Sequence, residues 1–216
     1  MTRIKAVVFD MDGVLVDAKD WHFEALNQSL ELFGFRISQF EHYQIYDGLP
    51  TSRKLELLAK NQGFPMSLAT FVNQMKQQYF MGIMEQKCVP NDRHQETLHR
   101  LCEDGFRLAL ASNSIRLTVD LLMQRTRLAT YMDVTLSNED VDRAKPDPEI
   151  YTLAFNRLGV QPDECLVVED GAYGIEAAKK AGAHVLVVET VHDVHYRGIQ
   201  RRISELEGGS AKRRAA

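Results

Sequence analysis

The chain has few cysteines and no surplus of positive charge. Its 216 residues include three cysteines, with no Cys-x-x-Cys pair and no cluster of cysteine with histidine. This pattern argues against a disulfide framework and against a zinc site, and it favours reduced thiols packed in a core. The formal net charge of −4 lacks the basic excess that binding to nucleic acid requires. We therefore expect no nucleic-acid partner.

Long apolar runs are also missing. The first apolar run, residues 4–9, is too short for the core of a signal peptide and is interrupted by Lys5. No stretch approaches the length of a membrane span, so we expect a cytoplasmic protein with no membrane partner. Hydrophobic residues make up 44% and charged residues 26%, which is typical of a globular chain with a real core. The length suits one domain, or one domain with a smaller insert.

Short apolar, β-branched runs alternate with helical patterns through most of the chain. Strands are predicted at residues 4–9, 106–111, 133–136, 165–168 and 183–188, and helices at 95–103, 117–125, 148–158 and 173–181. Buried parallel strands have this character, and strands that alternate with helices indicate βαβ units. The sequence therefore predicts an α/β fold with a Rossmann-like parallel sheet core and helices on both faces.

One region interrupts this alternation. From about residue 19 to residue 86 only helical periodicity is found, as in the spacing of Phe23, Leu26 and Leu30. We predict a helical cap domain over residues 18–87, lying above the carboxyl edge of the sheet. It would be inserted into a core domain of residues 1–17 and 88–206. Residues 207–216 lack large apolar side chains, so we expect them to be a disordered tail.

Polar side chains follow several of the predicted strands. The carboxyl ends of parallel strands meet at one edge of a sheet, so groups far apart in sequence would share one crevice there. Carboxylates follow the first and a later strand, hydroxyl and amide groups follow the second, and a lysine lies in a loop between. These residues are Asp10 and Asp12, Ser112 and Asn113, Lys145, and Glu169 and Asp170.

Such a set of side chains suits metal-assisted phosphoryl transfer. Crowded carboxylates repel one another unless a cation lies among them, and hard oxygen donors favour Mg2+ over zinc. A lysine and a serine hydroxyl can balance the remaining phosphate oxygens. An aspartate can attack phosphorus as a covalent nucleophile, and a second carboxyl nearby can protonate the leaving oxygen and then activate water.

Four segments of the chain, in this order, resemble the motifs of the haloacid dehalogenase superfamily. They are residues 10–17, 111–114, 145–148 and 169–178, and the resemblance extends from about residue 4 to residue 188. Within that superfamily the chain is similar to the branch of β-phosphoglucomutase and phosphoglycolate phosphatase. Gly171 is a departure, because serine is commoner there, and it affects only the local start of a helix.

The resemblance implies a magnesium-dependent phosphatase that forms an aspartyl-phosphate. Asp10 would be the nucleophile and a metal ligand. Asp12 would act as general acid and then general base, with its backbone carbonyl as a further metal ligand. Asp170 would bind the metal directly, with Glu169 beside it through a water or an outer hydrogen bond.

The resemblance also implies how the substrate is held. Ser112, Asn113 and Lys145 would bind the phosphoryl group, and the helical insert would close over a small phosphorylated metabolite as a cap. Taken singly, these side chains could equally cap a helix or lie in solvent. We expect a monomer or a weak dimer.

Residues of the insert leave several alternatives open. His22 lies where sugar phosphomutases of this family carry a histidine, and it is either a substrate contact or a packing residue. Arg53 could bind a second anionic group or could lie outside with Lys54, and Lys76 is expected to be exposed. A β-phosphoglucomutase-like phosphomutase is therefore an alternative, disfavoured by Arg116 and its preceding isoleucine. A non-catalytic binding protein on the same fold is another.

Overall fold

The computed structural model describes residues 3–213, with side chains for residues 3–208. Two compact units are found, one formed by Met1–Asp17 with Val89–Ala216 and the other by Ala18–Cys88. The main elements in chain order are β1 (Ala6–Phe9), α1 (Lys19–Glu31), α2 (Gln39–Glu41), α3 (Thr51–Gln62), α4 (Ala69–Lys87), α5 (Asp92–Glu103), β2 (Arg107–Ala111), α6 (Arg116–Arg125), β3 (Val134–Leu136), α7 (Glu149–Leu158), β4 (Cys165–Glu169), α8 (Ala172–Lys180), β5 (His184–Val187) and α9 (Tyr196–Arg213).

The first unit is built on a five-stranded sheet in the order β3-β2-β1-β4-β5. Every neighbouring pair is parallel, and Phe9 at the end of β1 pairs with Leu110 on one side and Val168 on the other. The ends of the three central strands are therefore level. The predicted α/β fold with a parallel sheet is confirmed, and residues that follow these strands emerge along one short edge.

Both faces of the sheet are covered. Ala6 and Val8 point to the face on which α7 and α8 pack. Val7 and Phe9 point to the opposite face, because successive side chains of a strand alternate, and they are also fully buried. Burial on both faces explains why β1 consists of apolar residues without polar alternation.

The second unit is helical. Its α1, α3 and α4 lie in the region from about residue 19 to residue 86, where the periodicity predicts helices, and α1 packs along α4. Apolar residues that share one buried face form its core, among them Leu30, Leu58 and Val72. Between α1 and α3 the chain forms α2 and a π-helical turn, His42–Tyr46, which the sequence pattern does not predict.

The end of the chain differs from the predicted disordered tail of residues 207–216. In the structure α9 continues to Arg213, so the prediction is corrected for residues 207–213. Ile199 and Ile203 are buried, and Glu207 accepts a hydrogen bond from the backbone N–H of Ile4 at 3.0 Å. Once the packed turns of α9 have formed, each further residue adds a helical hydrogen bond at a small cost in conformational free energy. Residue composition alone does not show this. Residues 214–216 of the tail lie outside the described residues.

The three thiols differ in burial. Cys88 and Cys165 are buried free thiols, whereas Cys102 is exposed, so the expectation of packed thiols is wrong for Cys102. Cys102 lies on the outer side of α5, whose inner side buries Leu98 and Leu101.

Across residues 3–213, none of the helices combines the length and apolar character needed to cross a bilayer.

Candidate active site

Asp10 lies directly after β1, at the centre of the sheet edge. Its carboxylate is buried, and its Oδ1 accepts a hydrogen bond from Lys145 Nζ at 2.6 Å. The same ammonium donates to Glu169 Oε1 at 2.6 Å and to the carbonyl of Ala111 at 2.9 Å. A lysine has three N–H donors, so Lys145 is fully engaged while only 4% exposed. The lysine of one loop therefore links the ends of β1, β2 and β4.

The charges in this cluster do not balance. Burial raises the pKa of Asp10 well above its ordinary value; Lys145 opposes this, whereas Glu169, Asp170 and Asp12 raise the pKa further. Burial lowers the pKa of the Lys145 ammonium, but the two carboxylates beside it outweigh burial, and its pKa lies above the ordinary value. One ammonium therefore faces several carboxylates, and an added cation would stabilise the cluster.

Glu169 is held by donors on both of its oxygens. Oε1 accepts from Lys145 and from the hydroxyl of Tyr151, each at 2.6 Å. Oε2 accepts from the backbone N–H groups of Asp170 at 3.1 Å and Gly171 at 3.2 Å. These bonds hold the carboxylate in one orientation, which favours Glu169 as the anchor of Lys145 and as a neighbour of a metal ligand.

Tyr151 is a site residue that sequence reasoning missed. It lies on α7 and is fully buried, and burial, followed by the charge of Glu169, raises the pKa of its hydroxyl well above 10. The hydroxyl therefore remains a donor. A signal was available, because a tyrosine on the sheet-facing side of a helix needs a hydrogen-bond partner for its hydroxyl.

A cation fits the acidic end of this edge. Asp10, Glu169 and Asp170 each offer a carboxylate oxygen, and these oxygens lie within 4.8 Å of one another. Carboxylate oxygens are hard donors of the kind that Mg2+ prefers. The residues present thus match the predicted metal.

Asp12 is held by the loop that follows β2. Its Oδ2 accepts a hydrogen bond from the Ser114 hydroxyl at 2.8 Å, and the Ser114 N–H donates to Ser112 Oγ at 3.0 Å. Ser114 was not among the predicted site residues. Its position two residues after Ser112, in the same loop, is the signal that could have indicated it.

Asn113 has a structural contact that differs from its predicted role. Its Oδ1 accepts from the backbone N–H of Lys145 at 3.0 Å, and its Nδ2 donates to the carbonyl of Lys145 at 3.4 Å. The amide thus positions the lysine loop; binding of phosphate by Asn113 stays a prediction. Through these contacts the structure brings together the predicted residues of the core, namely Asp10, Asp12, Ser112, Asn113, Lys145, Glu169 and Asp170.

His22 and Lys76 form a pair within the helical unit. Lys76 Nζ lies 3.0 Å from His22 Nδ1, and the His22 ring stacks on Phe80 with 4.2 Å between ring centroids. The expectation that Lys76 is exposed is wrong, because this side chain is 5% exposed. Its ammonium lies over Phe80, with Nζ 5.1 Å from the ring centroid. Periodicity alone does not reveal such a pair.

Arg53 and Lys54 differ from each other in burial. The Arg53 guanidinium is exposed and forms an ion pair with Glu56 one helical turn away. Lys54 is buried on the face of α3 that also carries Leu55 and Leu58. The suggestion that Lys54 lies outside is therefore wrong, and binding of substrate by Arg53 stays a prediction.

Gly174 leaves room for the Glu169 carboxylate. A Cβ at Gly174 would lie 1.7 Å from Glu169 Oε1, so we expect Gly174→Ala to displace that carboxylate. The free energy of unfolding should fall by about 1–3 kcal/mol, as in other overpacked sites. Gly82→Ala in α4 is the control, since an added Cβ there would have no atom within 4 Å apart from its chain neighbours and the backbone of its own helix, and it should gain about 0.5–1 kcal/mol. Urea denaturation measures both; equal effects would contradict the close fit.

The chain matches known proteins over most of its length. The family model for haloacid dehalogenase-like hydrolases matches residues 7–188. A protein of Thermotoga maritima named phosphorylated carbohydrates phosphatase is 33% identical over 195 residues, which are 88% of each chain. A phosphoglycolate phosphatase of Nitrosospira multiformis is 30% identical over 190 residues, covering 86% of this chain and 83% of that protein.

A solved structure extends the comparison to the fold. A β-phosphoglucomutase from Clostridium difficile superposes with a TM-score of 0.80, covering 94% of this chain and 98% of that one. Its sequence identity of 20% limits the comparison to the fold alone.

Proposed function

The chain belongs to the haloacid dehalogenase-like hydrolases, and we propose that it is a magnesium-dependent phosphatase of small phosphate monoesters such as sugar phosphates. The observation that carries this proposal is the buried Asp10 carboxylate at the centre of the sheet edge, bonded to Lys145 and grouped with Asp170. The names of two relatives, which refer to phosphorylated carbohydrates and phosphoglycolate, support the substrate class.

The reaction proceeds in two steps on residues of this chain. Asp10 attacks phosphorus, the bond from phosphorus to the ester oxygen breaks, and Asp12 gives a proton to that leaving oxygen. Asp12 then takes a proton from a water molecule, which attacks the aspartyl-phosphate and releases inorganic phosphate. The hydrogen bond from Ser114 to Asp12 keeps the carboxyl group directed during both proton transfers.

The remaining residues of the site bind the phosphoryl group and the metal and balance their charges. Lys145 would turn from one of its present acceptors to an oxygen of the phosphoryl group, and Ser112 would hold another. Asp10, Asp170 and the backbone carbonyl of Asp12 would hold Mg2+. Bound Mg2+ supplies positive charge that offsets both the carboxylates and the phosphate. Glu169 keeps Lys145 in place through its 2.6 Å bond.

The helical unit supplies the proposed cap. Closure of such a unit over the substrate would exclude water from the leaving group and define substrate size. His22 is the candidate contact in this unit, because its ring is fixed by Lys76 and Phe80. Arg53 is the weaker candidate, since Glu56 already pairs with its guanidinium.

Magnesium should stabilise the protein as well as activate it. Adding Mg2+ to chelator-treated protein should raise the melting temperature, and saturation at 100 times the dissociation constant adds about 2.7 kcal/mol. The apparent affinity should rise with pH, because Mg2+ binds the deprotonated Asp10 and burial raises the pKa of that group. Thermal denaturation at several pH values measures both effects.

Calcium should bind and inhibit, and full activity in excess chelator would refute the metal requirement.

A phosphomutase is the second candidate, favoured by the ordered His22–Lys76 pair. A mutase needs a firm second anion site to rebind the bisphosphate. Three basic side chains could form such a site: Arg53, Lys76 and Arg116. Arg53 is paired with Glu56, and Arg116 with Asp140 and the carbonyl of Thr135. Lys76 is buried beside His22. This favours transfer to water.

One incubation separates the candidates. With hexose 1-phosphate, Mg2+ and a trace of the corresponding bisphosphate, we expect free sugar and inorganic phosphate. Accumulation of hexose 6-phosphate with little inorganic phosphate would instead identify a mutase. Absence of turnover here and on a panel of phosphorylated metabolites would identify a non-catalytic protein on this fold.

A further inference from the structure

The turn that carries Asp12 is closed on a single carbonyl. Backbone N–H groups of residues 14–16 all donate to the carbonyl of Met11, at 3.3, 3.0 and 2.9 Å in chain order. Asp12 and Val16 also form an isolated β-bridge. The backbone position of Asp12 therefore depends on the orientation of the peptide planes that follow it.

His94 contacts this turn from α5. Its ring is 1% exposed and lies between two backbone carbonyls, with Nδ1 3.1 Å from the oxygen of Leu15 and Nε2 2.8 Å from that of Val191. The Leu15 carbonyl shares one rigid peptide plane with the Val16 N–H, which closes the turn on Met11. A donor on the Leu15 oxygen therefore fixes the direction of that N–H.

The protons on the His94 ring decide which carbonyl is held. A ring with one proton donates from one nitrogen, and a ring with two protons donates to both carbonyls. Burial is the main influence and lowers the pKa of His94; the carbonyls of Val191 and Leu15 raise it, and the neighbouring His192 and Arg93 lower it. A neutral ring that holds the turn must carry its proton on Nδ1.

We propose that His94 is a positioning residue, which aligns Asp12 by donating from Nδ1 to the Leu15 carbonyl. The inference rests on the proposed function, in which Asp12 transfers the protons. The contact with Val191 orients the ring and connects the turn to the loop before α9. In the sequence, His94 resembles an ordinary packing residue at the start of an amphipathic helix.

Two amide substitutions separate the contacts of the ring. The amide of His94→Asn can occupy the position of Nδ1 and reach Leu15, whereas that of His94→Gln can occupy the position of Nε2 and reach Val191. We expect His94→Gln to lower kcat about 10-fold with KM nearly unchanged, because a small misplacement of an acid–base group is costly. His94→Asn should keep kcat within about 2-fold. If the two variants had equal melting temperatures and lost kcat equally, or if neither lost kcat, the proposal would be overturned.

A second measurement does not depend on turnover. Amide hydrogen exchange at residues 14–16, without substrate, should be about 10-fold faster in His94→Gln than in wild type and His94→Asn. Absence of phosphatase activity in the wild type would refute the proposed function, while exchange would still report whether His94 holds the turn. Equal exchange in the three proteins would overturn the inference.

The wild-type protein provides a test that needs no variant. Nitrogen NMR of the His94 ring at neutral pH should show a proton on Nδ1. A proton on Nε2 alone would overturn the inference, since Leu15 would then face a lone pair.

Discussion

Asp10→Asn should abolish phosphate release while the protein stays folded. An amide is a poor nucleophile toward phosphorus and a poorer ligand for Mg2+, so both functions of Asp10 are lost together. Removal of a nucleophile that acts in a coupled set costs about 10⁴-fold or more in kcat. Release of inorganic phosphate from an aryl phosphate under saturating Mg2+ measures this loss.

The fold should survive because the substitution keeps the size of the side chain. It also removes one negative charge from a cluster in which burial and neighbouring carboxylates raise the pKa of Asp10. Asp120→Asn is a matched control, since Asp120 lies exposed on α6 beside Arg116, and it should keep full activity. A folded Asp10→Asn protein with a tenth of wild-type turnover would show that Asp10 is not the nucleophile.

Lys145→Met should reduce both stability and activity. The substitution leaves the carboxylates of Asp10 and Glu169 buried without the ammonium that each contacts at 2.6 Å. Removing one member of a buried ion pair costs about 3–5 kcal/mol of unfolding free energy. Loss of a donor to the phosphoryl group should lower kcat by a further factor of about 10²–10³.

The stability deficit of Lys145→Met should grow with pH. Lys145 lowers the pKa of Asp10, so its removal raises that pKa further above the unfolded value of about 3.9. Stability from a raised carboxyl pKa is present below the unfolded pKa and is lost as pH rises through the folded pKa. Urea denaturation should therefore show a smaller deficit at about pH 5 than at about pH 8.

Lys180→Met serves as the control for this comparison. Lys180 forms an exposed ion pair with Glu176 on α8, and such pairs contribute less than about 1 kcal/mol. Its effect should be small at both pH values. If both variants lost the same unfolding free energy, or if the loss in Lys145→Met did not depend on pH, the buried charge cluster would be contradicted.

The strands of the core could be predicted because their residues are local signals. Val7, Val8 and Phe9 form a short apolar run that suits burial on both faces, and the other strands have the same character. The edge rule for parallel sheets then predicted that Asp10 and Asp170 would meet, although 160 positions separate them in the numbering. The structure groups their carboxylate oxygens.

Contacts that depend on distant packing could not be predicted in the same way. The hydroxyl of Tyr151 reaches Glu169 only because α7 packs on the sheet face beside β2 and β3. Lys76 is buried because His22, 54 positions earlier, lies against it. Neither partner is visible in the local pattern around the residue concerned.

By itself the sequence determined the alternation of elements, the helical insert and the chemical character of the sheet edge, because these follow from local periodicity and residue type. Tertiary structure decided which side chains hold the site in place: Ser114 contacts Asp12, Asn113 contacts the backbone of Lys145, and His94 contacts the turn after Asp10. A hydrogen bond is made only within about 3 Å, and packing of the elements sets that distance across tens of residues.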